Sequence, residues 1–452
     1  MTRVTSSAPA PLRRRIHPAR AVVGGFALAA SIGTVVLMLP ISAQGRAATP
    51  LEALFTSVSA VCVTGLTVVD TETFWSGFGQ VAILALIQVG GLGIMLFASL
   101  IGLALARKLS IRSRMTTASE ARSIGVHDVR GLVKGIALIT FVIELAVALV
   151  LFFVFLFSYG YAPLEAAWKA VFHSVSAFNN AGFALYSDNL VRYAGDPLVL
   201  LPLAAATILG GLGFPVIMQL RKEFRNRLHW SMNTNIVLSA TAALLLLGTI
   251  YICAVEWNNP ATLGSMDVGS RILTGFFHSV QTRTAGFNTV DIGQMREATW
   301  LGMDVLMFIG AGPAGTAGGI KVTTFAVLFF IIYTELRGDS AVNIFGKRLS
   351  RAVHRQVITI ALLSVGVVMT ATAAMLLITG LDLDRVLFEA VSAFATVGLS
   401  TGITPTLPPS AQLILIALMF LGRLGPLTLG TAIALKRRPL LYELPKERPV
   451  IG

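Results

Sequence analysis

"FTSVSAVCVTGLT", residues 55–67, is a short apolar segment that runs into a glycine, and the chain repeats it three more times. The other copies read "FHSVSAFNNAGFA" (172–184), "FFHSVQTRTAGFN" (276–288) and "FEAVSAFATVGLS" (388–400). Aligned without gaps on Gly65, Gly182, Gly286 and Gly398, each copy has Phe ten residues earlier, at Phe55, Phe172, Phe276 and Phe388. Each has Leu or Phe directly after the glycine. The glycines are 117, 104 and 112 residues apart. An internal repeat outranks local propensity in reading a fold. This one divides the chain into four units, 1–130, 131–230, 231–350 and 351–452.

Longer apolar runs flank the copies. Eight are legible, at about 21–40, 78–106, 132–158, 198–220, 234–255, 300–333, 357–379 and 411–435. Each reaches the roughly 20 residues that cross a bilayer core. The chain is 55% hydrophobic and 13% charged, against about 25% charged in soluble domains. The composition therefore predicts an all-α polytopic membrane protein without a soluble domain. The first run reads as a span and not a secretory leader, because it is long and no cleavage site follows it. Two cysteines, Cys62 and Cys253, predict neither a disulfide framework nor a thiolate metal site.

A net charge of +13 invites a nucleic-acid reading, and the position of the charges excludes it. Arg3, the Arg13–Arg20 segment, and the stretches Arg107–Lys134, Arg221–Arg227, Arg337–Arg355 and Lys436–Arg448 hold 26 of the 35 basic residues, all between alternate spans. The other connections hold most of the acids, among them Asp70, Glu72, Asp188, Asp196, Asp267, Asp291, Asp382 and Asp384. This is the positive-inside bias, and it predicts both termini in the cytoplasm. Topology accounts for most of the basic loops, which would also suit a cytosolic partner or anionic lipid.

The four short segments are too short to cross, and their length suits re-entrant helices. "TPLEALF" offers Thr49 as N-cap, Pro50 at the first helical position and Glu52 at the third, a capping box. "APLEAAW" repeats Pro163 and Glu165 without the capping hydroxyl. Glu52 is 13 residues before its glycine and Glu165 is 17 before its own, which predicts a second short helix about one turn longer. Helices that start outside and end near mid-membrane point the negative ends of their dipoles at a common centre. Glycine allows positive φ and leaves no side chain in a narrow passage. Four sets of backbone carbonyls can then replace the water shell of a cation. The candidate ion-binding backbone is Val63, Thr64 and Gly65; Asn180, Ala181 and Gly182; Thr284, Ala285 and Gly286; and Thr396, Val397 and Gly398.

On these motifs the chain resembles the Trk/Ktr/HKT superfamily of potassium transporters. "VCVTGLTVVDT", "VSAFNNAGF", "TRTAGFNTVD" and "FATVGLSTGITP" carry the resemblance, with "GGLGIM", "GGLGFPV" and "GGIKVTTF" after them. It runs from about residue 20 to 435, and eight spans without additional ones resemble the Ktr membrane subunit. The resemblance implies a homodimer in the bacterial plasma membrane with one pore per protomer. It also implies a cytosolic ring of RCK-type subunits that bind ATP or ADP. Gly65, where some sodium-selecting members have Ser, implies potassium as the transported ion, with no organic cofactor on the chain.

"IGAGPAGTAGGIKV", 309–322, looks like a phosphate cradle, yet no strand precedes it and it lies inside an apolar run. Five glycines and a proline at 310–319 would cost a helix about 8 kcal/mol, so the run 300–333 predicts a break, and in the third unit alone. The resemblance makes the break an intramembrane gating loop, with Gly310, Gly312, Gly315, Gly318, Gly319 and Lys321 on it and Arg423 beside it. Relatives commonly read closer to "GGSPGSTAGGIK". Gly312 and Gly315 stand here where serines are usual, which predicts a less polar, more mobile loop.

Arg423 lies in the last span, where a charge faces a cavity or a partner. Arg283, three residues before Gly286, is expected to point away from a cation and brace the loop on an acid or on carbonyls. Asn179 and Asn180 are expected to brace backbone by hydrogen bonds. Cys62 shares the offset of Asn179 and Arg283, which favours backbone over side chains as the ion contact. Glu144 reads as the one acid in a span's apolar middle, hydrogen-bonded and not part of a proton relay. His173 and His278 on the short helices read as packing residues. No HExxH, GxSxG or CxxC is present, and the two "GGLG" motifs read as close helix packing, so no enzyme is expected. A channel-like potassium pathway is the leading reading, and a sodium- or proton-coupled potassium symporter the alternative.

Overall fold

The computed structural model describes residues 18–114, 126–339 and 341–425. Readings that rest on Arg3, Arg13–Arg15, the middle of the first basic loop and the tail from 426 lie outside the described residues. Fourteen α-helices are seen among them, with one small hairpin, Asn343–Ile344 against Lys347–Arg348. The helices are α1 (Pro18–Leu37), α2 (Pro50–Val61), α3 (Gly77–Arg114), α4 (Val126–Phe157), α5 (Pro163–Phe178), α6 (Pro197–Leu212), α7 (Phe214–Glu223) and α8 (Met232–Glu256). They continue with α9 (Val268–Gln281), α10 (Glu297–Phe308), α11 (Val322–Arg337), α12 (Arg351–Thr379), α13 (Leu383–Ala395) and α14 (Pro409–Leu424).

The four glycine-terminated segments are α2, α5, α9 and α13. Within a unit, α2 packs on α1 and α3, α5 on α4 and α6, α9 on α8, and α13 on α12 and α14. Between units the contacts close cyclically: α3 meets α5, α6 meets α9, α10 meets α13, and α14 returns to α2. Each short helix is thus wedged against the span that precedes it in the neighbouring unit.

Local chemistry sets where these helices begin. Thr49 accepts from the Glu52 N–H at 3.3 Å, and Glu52 accepts from the Thr49 N–H at 2.8 Å, the expected capping box. Arg46 grips the same carboxylate through both nitrogens at 2.9 and 2.6 Å. α5 starts at Pro163 without a side-chain cap and has 16 residues against 12 in α2, the expected extra turn. Asp267 caps α9 through the Gly269 and Ser270 N–H groups at 3.0 and 3.2 Å. The hydroxyl and N–H of Ser270 hold its carboxyl below the ordinary aspartate range.

Among the described residues five helices are long and apolar enough to cross a bilayer, judged by length and composition, and the α6–α7 pair makes a sixth if taken as one span. Eight single crossing helices are therefore not seen. The run 198–220 bends by 97° between α6 and α7, at Gly213 with φ of +91°. The run 300–333 splits into α10 and α11, and the last run is described only to residue 425. The break in the third unit is thus joined by one in the second. Pro215 in the first turn of α7 cannot donate to a helix continued from α6, and the 309–321 loop packs into the bend, where a side chain on Gly213 would strike the Pro313 carbonyl.

The third copy is also one residue shorter than the gapless alignment supposes. The fully buried phenylalanine is Phe277 and not Phe276, matching Phe55, Phe172 and Phe388. The N–H before the glycine bonds five residues back in three units: Thr64 to Ser59 O and Ala181 to Ser176 O at 2.8 Å, and Val397 to Ser392 O at 2.9 Å. In the third, Ala285 reaches only four back, to Gln281 O at 3.0 Å.

The GGLG motifs are packing devices. A Cβ on Gly90, Gly210 or Gly422 would strike the carbonyl of Val61, Phe178 or Phe394, each four residues before a repeat glycine. Close approach of span and short helix needs glycine at these points, whereas a Cβ at Gly366 in α12 meets only open space. Gly422→Ala is therefore expected to lower the thermal midpoint of the purified protein by several degrees. Gly366→Ala, which gains up to about 1 kcal/mol of helix propensity, should leave it unchanged or raise it. Equal midpoints for the two variants would remove the packing role of Gly422.

Candidate functional site

The four segments meet in a closed ring. A Cβ on Gly65 would strike the Ala181 carbonyl, and one on Gly182 the Ala285 carbonyl. The same holds for Gly286 against Val397 and for Gly398 against Thr64. Each glycine therefore touches the carbonyl of the residue just before the next unit's glycine, and the fourth closes on the first. φ is positive at all four, at +93°, +69°, +77° and +91°, so glycine is required on two counts, conformation and space.

Two residues before each glycine the backbone is left-handed again, at Val63 (φ +54°), Asn180 (+59°), Thr284 (+80°) and Thr396 (+52°). Three of these are β-branched, for which positive φ is a genuine outlier. Such residues cost of order 1–3 kcal/mol each and persist where surroundings over-determine them. All four are buried. The same strained position recurs in all four copies, and the ring brings together the candidate ion-binding backbone read from the sequence.

The segments are held from behind. Asn179 donates to Glu144 Oε1 at 3.0 Å and to Gln88 Oε1 at 2.8 Å, and Gln88 donates to Glu144 Oε2 at 3.2 Å. Glu144 is thus a brace behind the second segment, as expected. Other acids are buried in the protein as well, among them Asp304 of α10 and Glu389 of α13.

Ahead of the ring a second device recurs. His173 Nε2 accepts from the Leu185 N–H at 3.2 Å, and His278 Nε2 from the Thr289 N–H at 3.3 Å. Glu389 Oε1 accepts from the Thr401 N–H at 2.9 Å. Each bonded N–H belongs to the third residue after its glycine. Glu389 also accepts from the hydroxyls of Ser400 at 2.6 Å, Thr404 at 2.7 Å and Thr401 at 3.3 Å. The two histidines are clamps and not mere packing. Glu389 went unread in the sequence, although it directly follows Phe388 as His173 follows Phe172.

Below the ring lies the 309–321 break. Its neck is tied by Gly310 N–H to Ile320 O at 2.8 Å and Val322 N–H to Ala311 O at 3.0 Å. Its tip docks on the end of α6, where helix carbonyls lack intrahelical donors: Gly312 N–H bonds Gly211 O at 2.8 Å and Thr316 N–H bonds Gly210 O at 3.1 Å. The Phe214 N–H returns a bond to Ala314 O at 3.1 Å. Gly312 and Gly315 lie flush against the Leu212 and Gly210 carbonyls, so the less polar loop docks through its backbone. Gly318 abuts Thr396 and Gly319 abuts Ala395 of the fourth segment.

Three cations surround this loop. Arg423 donates to Thr316 O and, at 3.0 Å, to Gly90 O. Arg283 donates to Thr241 Oγ1 at 3.3 Å and to Thr241 O and Gly310 O at 3.5 Å. Lys321 Nζ donates to Ala317 O. None of the three has an ion-pair partner among the described residues. Arg283 braces carbonyls, the second of the two partners expected for it, and Arg423 ties the loop to α3.

A family model described as "TrkH: Cation transport protein" matches residues 17–438. The chain is 40% identical over 414 residues to the "Ktr system potassium uptake protein B" of Bacillus subtilis, covering 92% of each. Identity is also 40%, over 425 residues, to the protein of the same name from Vibrio alginolyticus, covering 92% of this chain and 91% of that one. It is 32% over 454 residues to the "Potassium/sodium uptake protein NtpJ" of Enterococcus hirae, covering 98% of each. The crystal structure of the potassium transporter TrkH from Vibrio parahaemolyticus superposes with a TM-score of 0.74 at 17% identity, over 94% of this chain and 86% of that one, a likeness of fold.

The clamps rank themselves. Glu389→Leu strands four donor contacts and His278→Leu strands the N–H and hydroxyl of Thr289. At roughly 1–3 kcal/mol per stranded buried group, Glu389→Leu should lower the thermal midpoint by more than His278→Leu. The reverse order would show that Glu389 does not carry the fourth segment.

Proposed function

The chain belongs to the TrkH cation transport protein family, and from that premise we propose that it is the membrane subunit of a potassium uptake system, with a channel-like pathway through the ring of four glycines. The closed set of glycine–carbonyl contacts carries this reading. A dehydrated cation needs oxygens at close quarters, and backbone carbonyls supply them without a formal charge. Unlike side chains at matched offsets, Cys62, Asn179 and Arg283, leave the backbone as the common element.

In the proposed architecture four units of span, re-entrant helix and span make eight crossings around one axis, with both termini cytoplasmic. α6–α7 and α10–α11 are the two interrupted crossings. The filter comprises Val63–Gly65, Asn180–Gly182, Thr284–Gly286 and Thr396–Gly398. The 309–321 loop is the gate beneath it, held by Arg423, with Lys321 adding a positive charge at the barrier. Contacts of the loop with the second and fourth filter segments support this. The protomer pairs as a homodimer in the bacterial plasma membrane, and a cytosolic ring of RCK-type ATP- or ADP-binding subunits moves the gate through the basic loops. The names of the relatives from Bacillus subtilis and Vibrio alginolyticus, each a component of a Ktr system, support a multi-subunit assembly.

A coupled potassium symporter is the second reading, favoured by the name of the Enterococcus hirae relative, which mentions both potassium and sodium. Proteoliposomes separate the two. Potassium flux should follow membrane potential with no sodium or proton requirement, and obligatory coupling at fixed stoichiometry would overturn the pore. Rubidium or thallium anomalous density is expected among the four glycines.

Two variants test the parts. Gly65→Ser should reduce discrimination against sodium by about ten-fold, the effect of roughly 1.4 kcal/mol lost at one carbonyl; intact selectivity would remove that carbonyl from the filter. Arg423→Ala should raise flux while the dimer stays folded, because the loop loses its tie to α3. Unchanged flux would reject its gating role.

A further inference from the structure

We propose that Thr316 is the positioning residue through which loop and filter sense each other, so that ion selection in the ring and docking of the loop form one coupled equilibrium. The proposal rests on the reading of the loop as a gate and adds that the gate also braces the filter.

Thr316 is fully buried, its polar atoms reach the second and fourth units, and Arg423 extends the link to the first. Its N–H bonds Gly210 O at 3.1 Å. Its hydroxyl lies 3.2 Å from Phe178 O, at the end of α5, and 3.0 Å from the Asn180 amide. Its carbonyl accepts from Arg423, which continues to Gly90. The second, fourth and first units are therefore joined at one residue of the third.

Asn180 is not an ordinary partner. It is the left-handed residue of the second filter segment. The amide orientation that satisfies all neighbours points its nitrogen at Thr207 O and Phe178 O, each at 3.2 Å, and at Thr316 Oγ1. Its oxygen then accepts from Thr284 Oγ1 at 3.3 Å. Thr284 is the left-handed residue of the third segment. A single buried chain, Thr316 to Asn180 to Thr284, thus ties the loop to two of the four strained positions. Gly318 packs against the third, Thr396. The fourth, Val63, has no polar side chain to engage.

When the loop leaves, the Phe178 carbonyl loses its hydroxyl donor and the Asn180 amide loses an acceptor. Each keeps another partner, since the Asn180 nitrogen still faces Phe178 O and Thr207 O, so what is lost is the loop's own hydrogen bonds, beside a residue whose backbone conformation is strained already. Coupling free energies are reciprocal. An ion that fits the strained ring stabilises the docked loop, and a docked loop stabilises the ring that prefers that ion.

The test uses the full chain in proteoliposomes, with rubidium and sodium influx measured separately. Thr316→Val keeps shape and removes the hydroxyl, and Thr316→Ser restores it. If the valine variant does not elute as a monodisperse species, Thr316→Ala takes its place. The variant without the hydroxyl should raise rubidium influx about five-fold and lower the rubidium-to-sodium ratio about five-fold, the effect of roughly 1 kcal/mol of lost coupling in each. The serine variant should stay within about two-fold of the parent in both, within the ordinary span of a conservative change. Higher influx at an unchanged ratio would overturn the coupling and leave the gate standing, as would a serine variant that behaves like valine. Deletion of 312–315 tests the gate itself: unchanged influx in that deletion would overturn the gate reading, separately from the coupling.

Discussion

The fold depends on keeping four carbonyls close together around four glycines. Oxygens that converge repel one another, and the backbone that presents them is left-handed two residues before each glycine and again at the glycine. Neither feature is stable alone. At about 1–3 kcal/mol for each strained non-glycine residue, the ring stores a cost comparable to the net stability of many domains. Much of the surrounding polar structure can be read as opposing that cost. His173, His278 and Glu389 fasten the strand leaving the ring. Glu144, Gln88 and Asn179 fasten one segment entering it. Glycines in the second spans let three short helices approach until backbone touches backbone.

The same constraint explains why buried cations beside the ring are tolerated. Taking a guanidinium out of water costs several kcal/mol unless its donors are met. Arg283 and Arg423 meet carbonyls that a broken span exposes, among them Gly310 O and Thr316 O. Each break frees carbonyls in the protein interior, where irregular backbone is permitted only if its groups are satisfied. The cations supply donors that a continuous helix would have supplied itself.

How much of this was legible follows from what each residue's signal is. The four segments, the capping box at Thr49 and the break at 309–321 were readable, because repetition, capping and helix propensity are local properties. The bend at Gly213 had a local signal that went unread: "GGLGFPV" differs from "GGLGIM" by Pro215, which cannot donate to a continuing helix, and the docked Pro313 carbonyl adds a second difference. Thr316 and Glu389 were missed because their importance lies in partners 136 and 11 to 15 residues away. Glu389 had a usable signal in the column shared with His173. Asp304 was overlooked because its run opens near a loop, where an acid attracts no notice. The Phe276 register failed because a one-residue deletion cannot be seen when two phenylalanines are adjacent.

That deletion connects the irregularities of the third unit. In the other three units the second span carries a glycine that receives the carbonyl four residues before the repeat glycine. Shortening the third segment by one residue changes its path into the ring, as the four-residue hydrogen bond of Ala285 shows. At the corresponding depth Gly310 faces the carbonyls of Gly318 and Ile320 in its own loop. The span is open where its counterparts are closed by a short helix. The chain between α10 and α11 fills the opening and meets the repeat segments of two other units, at Asn180 and at Thr396. Four like units thus acquire their inserted loop where the likeness fails, and the shortest copy of the repeat belongs to the unit that carries the loop.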